Sequence, residues 1–486
     1  MLLIVGLAIP RSAFAHLVLV SSAPPAGSTL AAAPSAVGLS FSEDPQLGAT
    51  RIEVVNAAGT RVDSGTPRLV QIPKHTLEVA LRGSLAPGKY AVRWRATSDD
   101  GHPAHGAFTF TIREGAVAAS AAAPPAAAAE TASHAATPMA MDTTEAGGFD
   151  VESPLYVIVR WLGFVAMLAL VGSIVLARWV TPRATPGRPE LARRVDANAL
   201  VVFRMATALL LIDAAVRLAA QVAALRGNPP LPVDVPAIVT TTVWGWAWLF
   251  EVAAAIVAIV AALKGGAARW HVAEAAALVL ALSFAFSGHA AAATHLRALA
   301  VSSDALHMLA AGSWLGTLLG VAIVAMPACL AQEGGTRGPA AAGFVHAFSP
   351  VALTSAGVLV ATGAVAAWLH LGSWHAFVDS DYGRTLLIKL ALVATVVALG
   401  AINWRIMRPA LGTEAAARRL RRSAALELVA AAAVLAATAV LVASSPPADM
   451  PGMGAAQPAV APAATAASAP ADGIAIRARV PHDDGT

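Results

Sequence analysis

A histidine follows a small-residue pattern close to the start of the chain. Ala13, Phe14 and Ala15 form an A-x-A pattern, and His16 comes directly after it. This pattern is typical of a secretory signal peptide, so we predict cleavage after Ala15. His16 would then present a free α-amine beside its imidazole. The α-amine has a reference pKa near 8, so both nitrogens can bind one metal ion as a chelate.

Further ligands are available in the segment SDDGHPAHGAFTF. Asp100 and His102 are two residues apart, and in an extended segment such residues point to the same face. A carboxylate, an imidazole and the chelate at His16 match the tetragonal N,O ligation that Cu(II) prefers. His105 is an alternative ligand, a residue that supports the ligands, or a surface residue. Without His16, the Asp-Gly-His motif would be read as a structural turn.

A second group of histidines lies at one predicted side of a membrane region. Its members are His289, His295, His307, His370 and His375. Asp304 precedes His307 by three residues, so the two share a helix face, and Met308 adjoins them. Imidazole and thioether groups are ligands for copper, the thioether for Cu(I) in particular. The alternative is that these histidines are interfacial polar residues at helix ends.

The composition is that of a membrane protein. Of 486 residues, 57% are hydrophobic and only 13% are charged, whereas soluble proteins have about 25% charged residues. The mean hydropathy is +0.66. The single cysteine, Cys329, excludes an intrachain disulfide framework and a CxxC redox pair.

Composition and patterning divide the chain into five parts. They are a signal peptide (1–15), a β domain (16–113), an Ala/Pro-rich linker (114–150), a membrane domain (151–445) and a low-complexity tail (446–486). The β domain has short alternating runs such as VGLSFSE and RIEVVNAAG, separated by turn residues. That pattern predicts an antiparallel β-sandwich or barrel. The linker and the tail carry scattered methionines, and we interpret both as spacers.

Eight apolar segments are each close to the ~20 residues that a helical span requires. They are 155–177, 199–224, 243–263, 271–290, 302–325, 348–370, 384–404 and 424–444. Arginine is concentrated in the predicted loops 178–198 and 405–423, and the positive-inside rule places those loops in the cytoplasm. Both termini of the membrane domain then face outward. A secretory signal also requires an external β domain, so we predict a multi-pass protein of the bacterial inner membrane with periplasmic ends.

Several charged residues fall within the predicted spans, where charge is costly unless it faces a bundle interior. Asp213 and Arg217 are four residues apart and are predicted to pair. Glu274 and Glu427 lie near the cytoplasmic ends and are predicted to be interfacial.

Three segments of the β domain resemble the CopC family of periplasmic copper-binding proteins: AHLVLVSSAPPAGSTL, VGLSFSE and YAVRWRATSDDGHPAHGAFTF. The resemblance covers about residues 16–113. It implies an all-β, cupredoxin-like Greek-key barrel with a Cu(II) site formed by the amine and imidazole of His16, Asp100 and His102. The Met-rich Cu(I) site of some family members is not implied, because this domain contains no methionine.

The membrane part resembles the CopD family of copper-resistance membrane proteins. The matching segments are SGHA (287–290), DALHMLAAGSWLGTLLG (304–320), FSPVALTSAGVLVATG (348–363) and DYGRTLLIKLAL (381–392). The resemblance implies an all-α bundle of eight transmembrane helices associated with copper import. It carries over His289, Asp304 and His307 as polar positions of the copper path.

The sequence therefore predicts a CopC–CopD fusion that binds copper outside the membrane and imports it, with a role in copper homeostasis and resistance. The expected partners are copper, the bilayer and periplasmic copper donors, with no nucleic acid and no enzymatic reaction. The chain has no GxxxxGK[ST] motif, which argues against ATP-driven pumping. Two alternatives stay open: a haem- or copper-dependent membrane oxidoreductase, with haem held by His289, His307 or His370, and a copper buffer or sensor that does not transport.

Overall fold

The computed structural model describes the two predicted folded parts of the chain. The described residues are 17–70, 75–98, 101, 103–118, 153–226, 232–293, 296–371, 375–403, 405 and 414–443. The predicted signal peptide, the predicted tail and most of the predicted linker lie outside them. Four predicted ligands also lie outside the described residues: His16, Asp100, His102 and His295.

The N-terminal part is a two-sheet β domain, which confirms the predicted fold class. Its strands are β1 (Leu19–Ala23), β2 (Thr29–Ala33), β3 (Ala36–Phe41), β4 (Arg51–Asn56), β5 (Arg68–Val70), β6 (Thr76–Ala80), β7 (Gly88–Thr97) and β8 (Pro103–Ala118). One sheet has the order β1-β3-β6-β5 and the other β2-β8-β7-β4. Alternation produces the core: Val37, Leu39 and Phe41 of β3 are buried, while the residues between them are half-buried.

One strand pair departs from the predicted antiparallel arrangement. β2 pairs with β8 in parallel, with Thr29 opposite Thr111. The chain passes from the first sheet at β1 to the second at β2 and returns at β3. The direction of β2 is therefore set by a crossing between sheets and not by a hairpin turn.

The β7–β8 hairpin is the element that carries the predicted metal ligands of the β domain. The two strands pair continuously from Gly88 opposite Ile112 to Thr97 opposite Pro103. Residues 98–102 connect the last paired residues in the sequence, and of these Ser98 and Gly101 are described. Aromatic packing stabilises the hairpin: Tyr90 stacks on Phe110 with ring centroids 5.3 Å apart.

The rest of the described chain is helical. Its helices are α1 (Pro154–Ala184), α2 (Pro189–Arg226), α3 (Val235–Thr241), α4 (Val243–Lys264), α5 (Arg269–Phe286), α6 (His289–Ala292), α7 (Arg297–Leu330), α8 (Arg337–Leu371), α9 (Ala376–Asp379), α10 (Asp381–Ile402) and α11 (Glu414–Val442). Within the described residues, eight helices are long and apolar enough to cross a membrane, as predicted.

The predicted loop 178–198 is wrong in its extent. Helix α1 continues to Ala184 and α2 begins at Pro189, so only residues 185–188 connect them. The apolar run ends before the helix does, because hydropathy records what lies in hydrocarbon and not where backbone hydrogen bonding stops. The arginines of this region therefore lie largely on helix ends.

Helices α1 and α7 approach closely through glycines. A Cβ atom on Gly172 would overlap the backbone of Gly316, and one on Gly316 would overlap the Leu168 carbonyl oxygen. Small residues allow such contact where lipid supplies no hydrophobic driving force. Both helices also contain π-helical turns, at residues 176–180 in α1 and at 312–316 and 321–325 in α7.

A buried ionic cluster joins α2 to α4. The Arg217 Nε atom donates to Asp213 Oδ2 at 2.8 Å, which confirms the predicted pair. Arg217 also forms an ion pair with Glu251 of α4. The exposed fractions of the three side chains are 7%, 2% and 1% for Arg217, Asp213 and Glu251. Mutual pairing inside the bundle is how charged groups are tolerated at this depth.

Only one of the two predicted interfacial glutamates is interfacial. Glu274 is half-exposed and accepts a hydrogen bond from Arg178 at 3.2 Å. Glu427 is buried, with 4% of its surface exposed, and accepts a hydrogen bond from Asn403, which directly follows α10. A partner at the end of a neighbouring helix therefore keeps this second carboxylate inside the bundle.

The β domain docks on the end of the bundle where α2 ends and α4 begins. The Arg95 guanidinium, at the end of β7, donates to the carbonyl oxygens of Leu225 and Pro232. Burial, followed in importance by the nearby charge of Arg51, lowers the pKa of Arg95 to about 10, so its side chain remains cationic at neutral pH. A cation at the carboxyl end of α2 also interacts favourably with the helix dipole.

A small apolar cluster completes the docking contact. Ala49 of the β domain packs with Leu225, Ile238 and Trp244 of the bundle. Gly48 lies so close to Thr241 that any Cβ atom there would overlap its side chain. The contact therefore combines hydrogen bonds, an ionic group and apolar packing.

We expect Arg95→Ala to loosen this docking. The substitution removes two charge-assisted hydrogen bonds, each of which contributes about 1.5–3 kcal/mol. Amide hydrogen exchange at residues 46–49 and 98–101 of the full-length protein should accelerate about tenfold or more, while the β3 and β6 core stays protected. Arg68→Ala is the matched control, because Arg68 is exposed and, among the described residues, forms its ion pair with Glu78; both lie in the sheet that does not contain Arg95. Equal protection in both variants would contradict the docking role.

Candidate metal centre

Gly101, which lies between the predicted ligands Asp100 and His102 in the sequence, is at the docking surface. It has a φ of +88° and donates its N–H to the Ser98 carbonyl at 3.0 Å. Glycine adopts this left-handed conformation without the steric cost of a Cβ atom. The structure thus defines the backbone of the residue between the two predicted ligands, which themselves lie outside the described residues.

Two helices of the bundle contact Gly101. Gln221 of α2 donates its Nε2 hydrogen to the Gly101 carbonyl at 2.6 Å. A Cβ atom at position 101 would overlap the Trp244 ring of α4. The candidate loop is therefore seated on the membrane helices, an arrangement that the sequence pattern did not indicate.

The start of the described chain is anchored in the same domain. Leu17 is 1% exposed and belongs to the apolar core of the β domain. The Val18 N–H donates to Ser42 Oγ at 3.0 Å. An anchored Leu17 limits where the preceding residue, His16, can lie.

His105 occupies a different position from the loop residues. It lies in β8 opposite Arg95 and is exposed. Its assignment as an alternative ligand stays a prediction.

His307 is the best-defined histidine of the membrane domain. It lies about 15 Å along α7 from Arg297, at about 1.5 Å rise per residue. Its Nδ1 atom is 2.8 Å from the Thr362 hydroxyl of α8. Ser303, one turn earlier, donates to the Thr362 carbonyl at 3.3 Å.

The Thr362 hydroxyl sets the tautomer of His307. Its own hydrogen points to the Val358 carbonyl, 2.7 Å away. The hydroxyl oxygen therefore accepts from Nδ1–H of His307, which leaves the Nε2 lone pair free. A neutral imidazole whose other nitrogen is held in a hydrogen bond is the form that binds metals.

Two charged residues lie near this imidazole. Asp304, one turn before His307, interacts electrostatically with Lys389 of α10, and the Lys389 charge also acts on His307. Met308 points elsewhere, because it packs against the main apolar core of the bundle. The structure therefore separates Met308 from the polar face that carries Asp304 and His307.

The other predicted histidines are not drawn into one cluster by the described residues. His289 begins α6 and His370 lies near the end of α8, both described in their backbone only, and His375 is exposed before α9. Among side chains that the structure describes, no group of three or more His, Cys, Asp or Glu residues gathers around one point. Their part in a copper path stays a prediction.

Sequence reasoning missed Gln221 and Thr362, and it named Glu251 and Lys389 without their partners. Glu251 and Lys389 were visible as charges within apolar runs, but their partners lie on other helices. Gln221 and Thr362 carry no comparable signal.

Together these features define a multi-pass membrane protein whose extramembrane β domain rests on one end of a helical bundle. The chain belongs to the CopC–CopD family of copper-resistance proteins, as a fusion of both parts, and copper is the metal of this family. It matches the CopC domain over residues 19–113, the N-terminal domain of copper resistance protein D-like proteins over 150–298, and copper resistance protein D over 342–441.

Known proteins are similar either to most of the chain or to its β domain alone. The copper transport protein CutJ of Bacillus subtilis is 25% identical over 412 residues, which cover 82% of this chain and 70% of CutJ. Copper resistance protein C of Escherichia coli is 35% identical over 118 residues, 23% of this chain and 90% of that protein. The crystal structure of PcoC, a methionine-rich copper resistance protein from Escherichia coli, is 31% identical and covers 20% of this chain and all of that one, with a TM-score of 0.19.

We expect Thr362→Val to weaken Cu(I) binding by the bundle about tenfold, the lower range for losing a partner that orients a metal-binding histidine. The valine keeps the volume but frees the His307 ring to rotate and to change tautomer. The measurement is competition with a chromophoric Cu(I) chelator, using full-length protein that also carries His16→Ala and His102→Ala.

Two variants make this measurement specific. Thr362→Ser keeps the hydroxyl and should bind as the parent does. Thr354→Val removes an exposed hydroxyl on the same helix that bonds only within that helix, and it should change nothing. An unchanged affinity in Thr362→Val would refute the positioning role.

Proposed function

We propose that this protein captures Cu(II) at its β domain and delivers copper to the membrane bundle for import. The observation that carries the proposal is the docking of the β7–β8 loop on α2 and α4, through Gly101, Gln221 and Trp244. A copper site on this loop would lie at the membrane domain and not at the far side of the β domain. Capture and delivery then occur within one chain.

The proposed Cu(II) ligands are the His16 amine and imidazole, the Asp100 carboxylate and the His102 imidazole. Asp100 and His102 flank the residue that the bundle holds, so an ion bound between them would lie beside α2. This set supplies the nitrogen and oxygen donors that Cu(II) prefers.

The docked domain and His307 lie at the same end of the bundle. Helix α2 ends there, and α1 and α8 mark the opposite end, where Gly343 packs on Ala184. Because successive spans alternate in direction, α7 begins at the end where α2 finishes, and His307 lies about 15 Å below it. We propose that copper passes from the docked loop to the free Nε2 atom of His307, with Asp304 as a neighbouring anionic group. Transfer as Cu(I) takes one electron per ion from a reductant outside this chain, such as a small-molecule thiol.

His289, His370 and His375 lie at or next to helix ends on the same side of the bundle. Together with His295, which lies outside the described residues, they complete the proposed path. The Arg-rich ends of α1 and α2 lie at the other end, which the positive-inside rule places in the cytoplasm. The proposed location is therefore the inner membrane, with the β domain in the periplasm.

The β-domain site has a distinct spectroscopic test. We expect Cu(II) bound to the mature full-length protein to give an EPR spectrum with nitrogen couplings, and His102→Ala to lower the Cu(II) affinity by more than about tenfold. Binding should also weaken as the pH falls below about 8, because protons compete for the α-amine. His105→Ala is the control and should keep both spectrum and affinity; loss in His105→Ala alone would reassign the ligand.

Import is tested by copper uptake in cells that carry the wild type, His16→Ala, His307→Ala or His346→Ala. We expect the wild type to raise intracellular copper, His307→Ala to abolish the rise, and His16→Ala to reduce it at low external copper. His346→Ala is the matched control, because His346 is exposed at the opposite end of the bundle and bonds to its own helix.

Protein levels and N-terminal processing are measured in every strain. Unchanged intracellular copper in the wild type, with Cu(II) still bound at the β domain, would overturn import and support a buffer or sensor. Haem absorbance in the purified protein would instead support a membrane oxidoreductase.

A further inference from the structure

A cavity opens at the end of the bundle opposite the β domain. It has a volume of about 580 Å³ and lies between α1, α5 and α7. This size falls within the about 300–1,000 Å³ that is typical of ligand pockets. None of the proposed copper residues lines it, so it needs an explanation of its own.

The rim of the cavity is cationic. Arg178 and Arg183 of α1 both line it. Glu274 contacts both Arg178 and His271. Its Oε1 atom is 3.2 Å from Arg178 Nε, and its Oε2 atom is 3.3 Å from His271 Nδ1. The Arg183 guanidinium lies 5.3 Å above the ring centroid of Trp179. The rim therefore carries two arginines and one carboxylate. Among the contacts described, Arg183 interacts with the Trp179 carbonyl and ring and with no carboxylate.

The body of the cavity is apolar and faces outward. Val171 and Leu309 line its deeper part, and Leu278 lines its side. Leu278 and Trp179 are each 55% exposed on the outer surface of the bundle. Within a membrane, such a surface contacts lipid, so the cavity is open to the bilayer from the side.

Two π-helical turns border the cavity. Arg178 and Trp179 lie in the π turn of α1, and Ser313 lies in the first π turn of α7. The wider turn of a π segment displaces side chains from the regular helical positions, and such turns often occur at functional sites. The opening is thus built into both helices.

We propose that this cavity binds a phospholipid with an anionic head group. The phosphate would lie between Arg178 and Arg183, and one acyl chain would follow Leu278 toward Leu309. A charged rim above an apolar body complements an amphipathic molecule, and basic pockets between helices at the Arg-rich side of a membrane protein bind anionic head groups.

The test uses the full-length protein in nanodiscs that contain equal parts phosphatidylcholine and phosphatidylglycerol. Native mass spectrometry after release into mild detergent measures which lipid is retained. We expect the wild type to retain phosphatidylglycerol preferentially, and Arg178→Gln/Arg183→Gln to lower that preference about tenfold. Arg193→Gln/Arg194→Gln is the matched control, because both arginines are exposed at the same end and do not line the cavity.

A second variant and a phosphate control distinguish binding of a whole lipid from binding of a phosphate group alone. Leu278→Trp fills the side of the cavity without changing charge and should also lower retention. Thermal unfolding in detergent with inorganic phosphate alone gives the other arm: stabilisation by phosphate equal to that by phosphatidylglycerol would overturn the lipid assignment in favour of a small anion. Equal retention by the wild type and both arginine double variants, or equal loss in both double variants, would overturn the site.

Discussion

The Arg217 guanidinium is buried in the membrane domain between two carboxylates. This pairing constrains the relative position of α2 and α4, on which the β domain docks. Removing such ions from water costs several kcal/mol each, and only close partners offset that cost. Arg217 therefore fixes α2 relative to α4 through Asp213 and Glu251. One turn further along α2, Gln221 bonds the β domain. The position of the candidate copper loop thus depends on a charge cluster deeper in the bundle.

Local patterns made most of the fold predictable. Period-two alternation marks the strands, and apolar length marks the spans, because both properties are set by neighbouring residues along the chain. The parallel β2–β8 pair was not predictable, since it follows from a crossing between sheets. Helix ends were also missed: α1 runs to Ala184 although its apolar segment ends earlier.

The candidate site divides in the same way. The A-x-A-His pattern and the spacing of Asp100 and His102 are local, so candidate ligands could be proposed from the sequence. The interactions of Thr362 with His307 and of Gln221 with Gly101 join residues far apart in the chain. Threonine and glutamine are common in helices, and nothing in their surroundings along the sequence distinguishes these two.

The grip on Gly101 has a consequence for how this fusion can change over evolutionary time. Any side chain at position 101 would collide with Trp244, and any shift of the loop would break the bond to Gln221. Substitutions in the β domain and in the bundle therefore cannot accumulate independently at this contact. Residues 95, 101, 221 and 244 are expected to vary together among descendants of this chain, as one inherited unit that crosses the domain boundary.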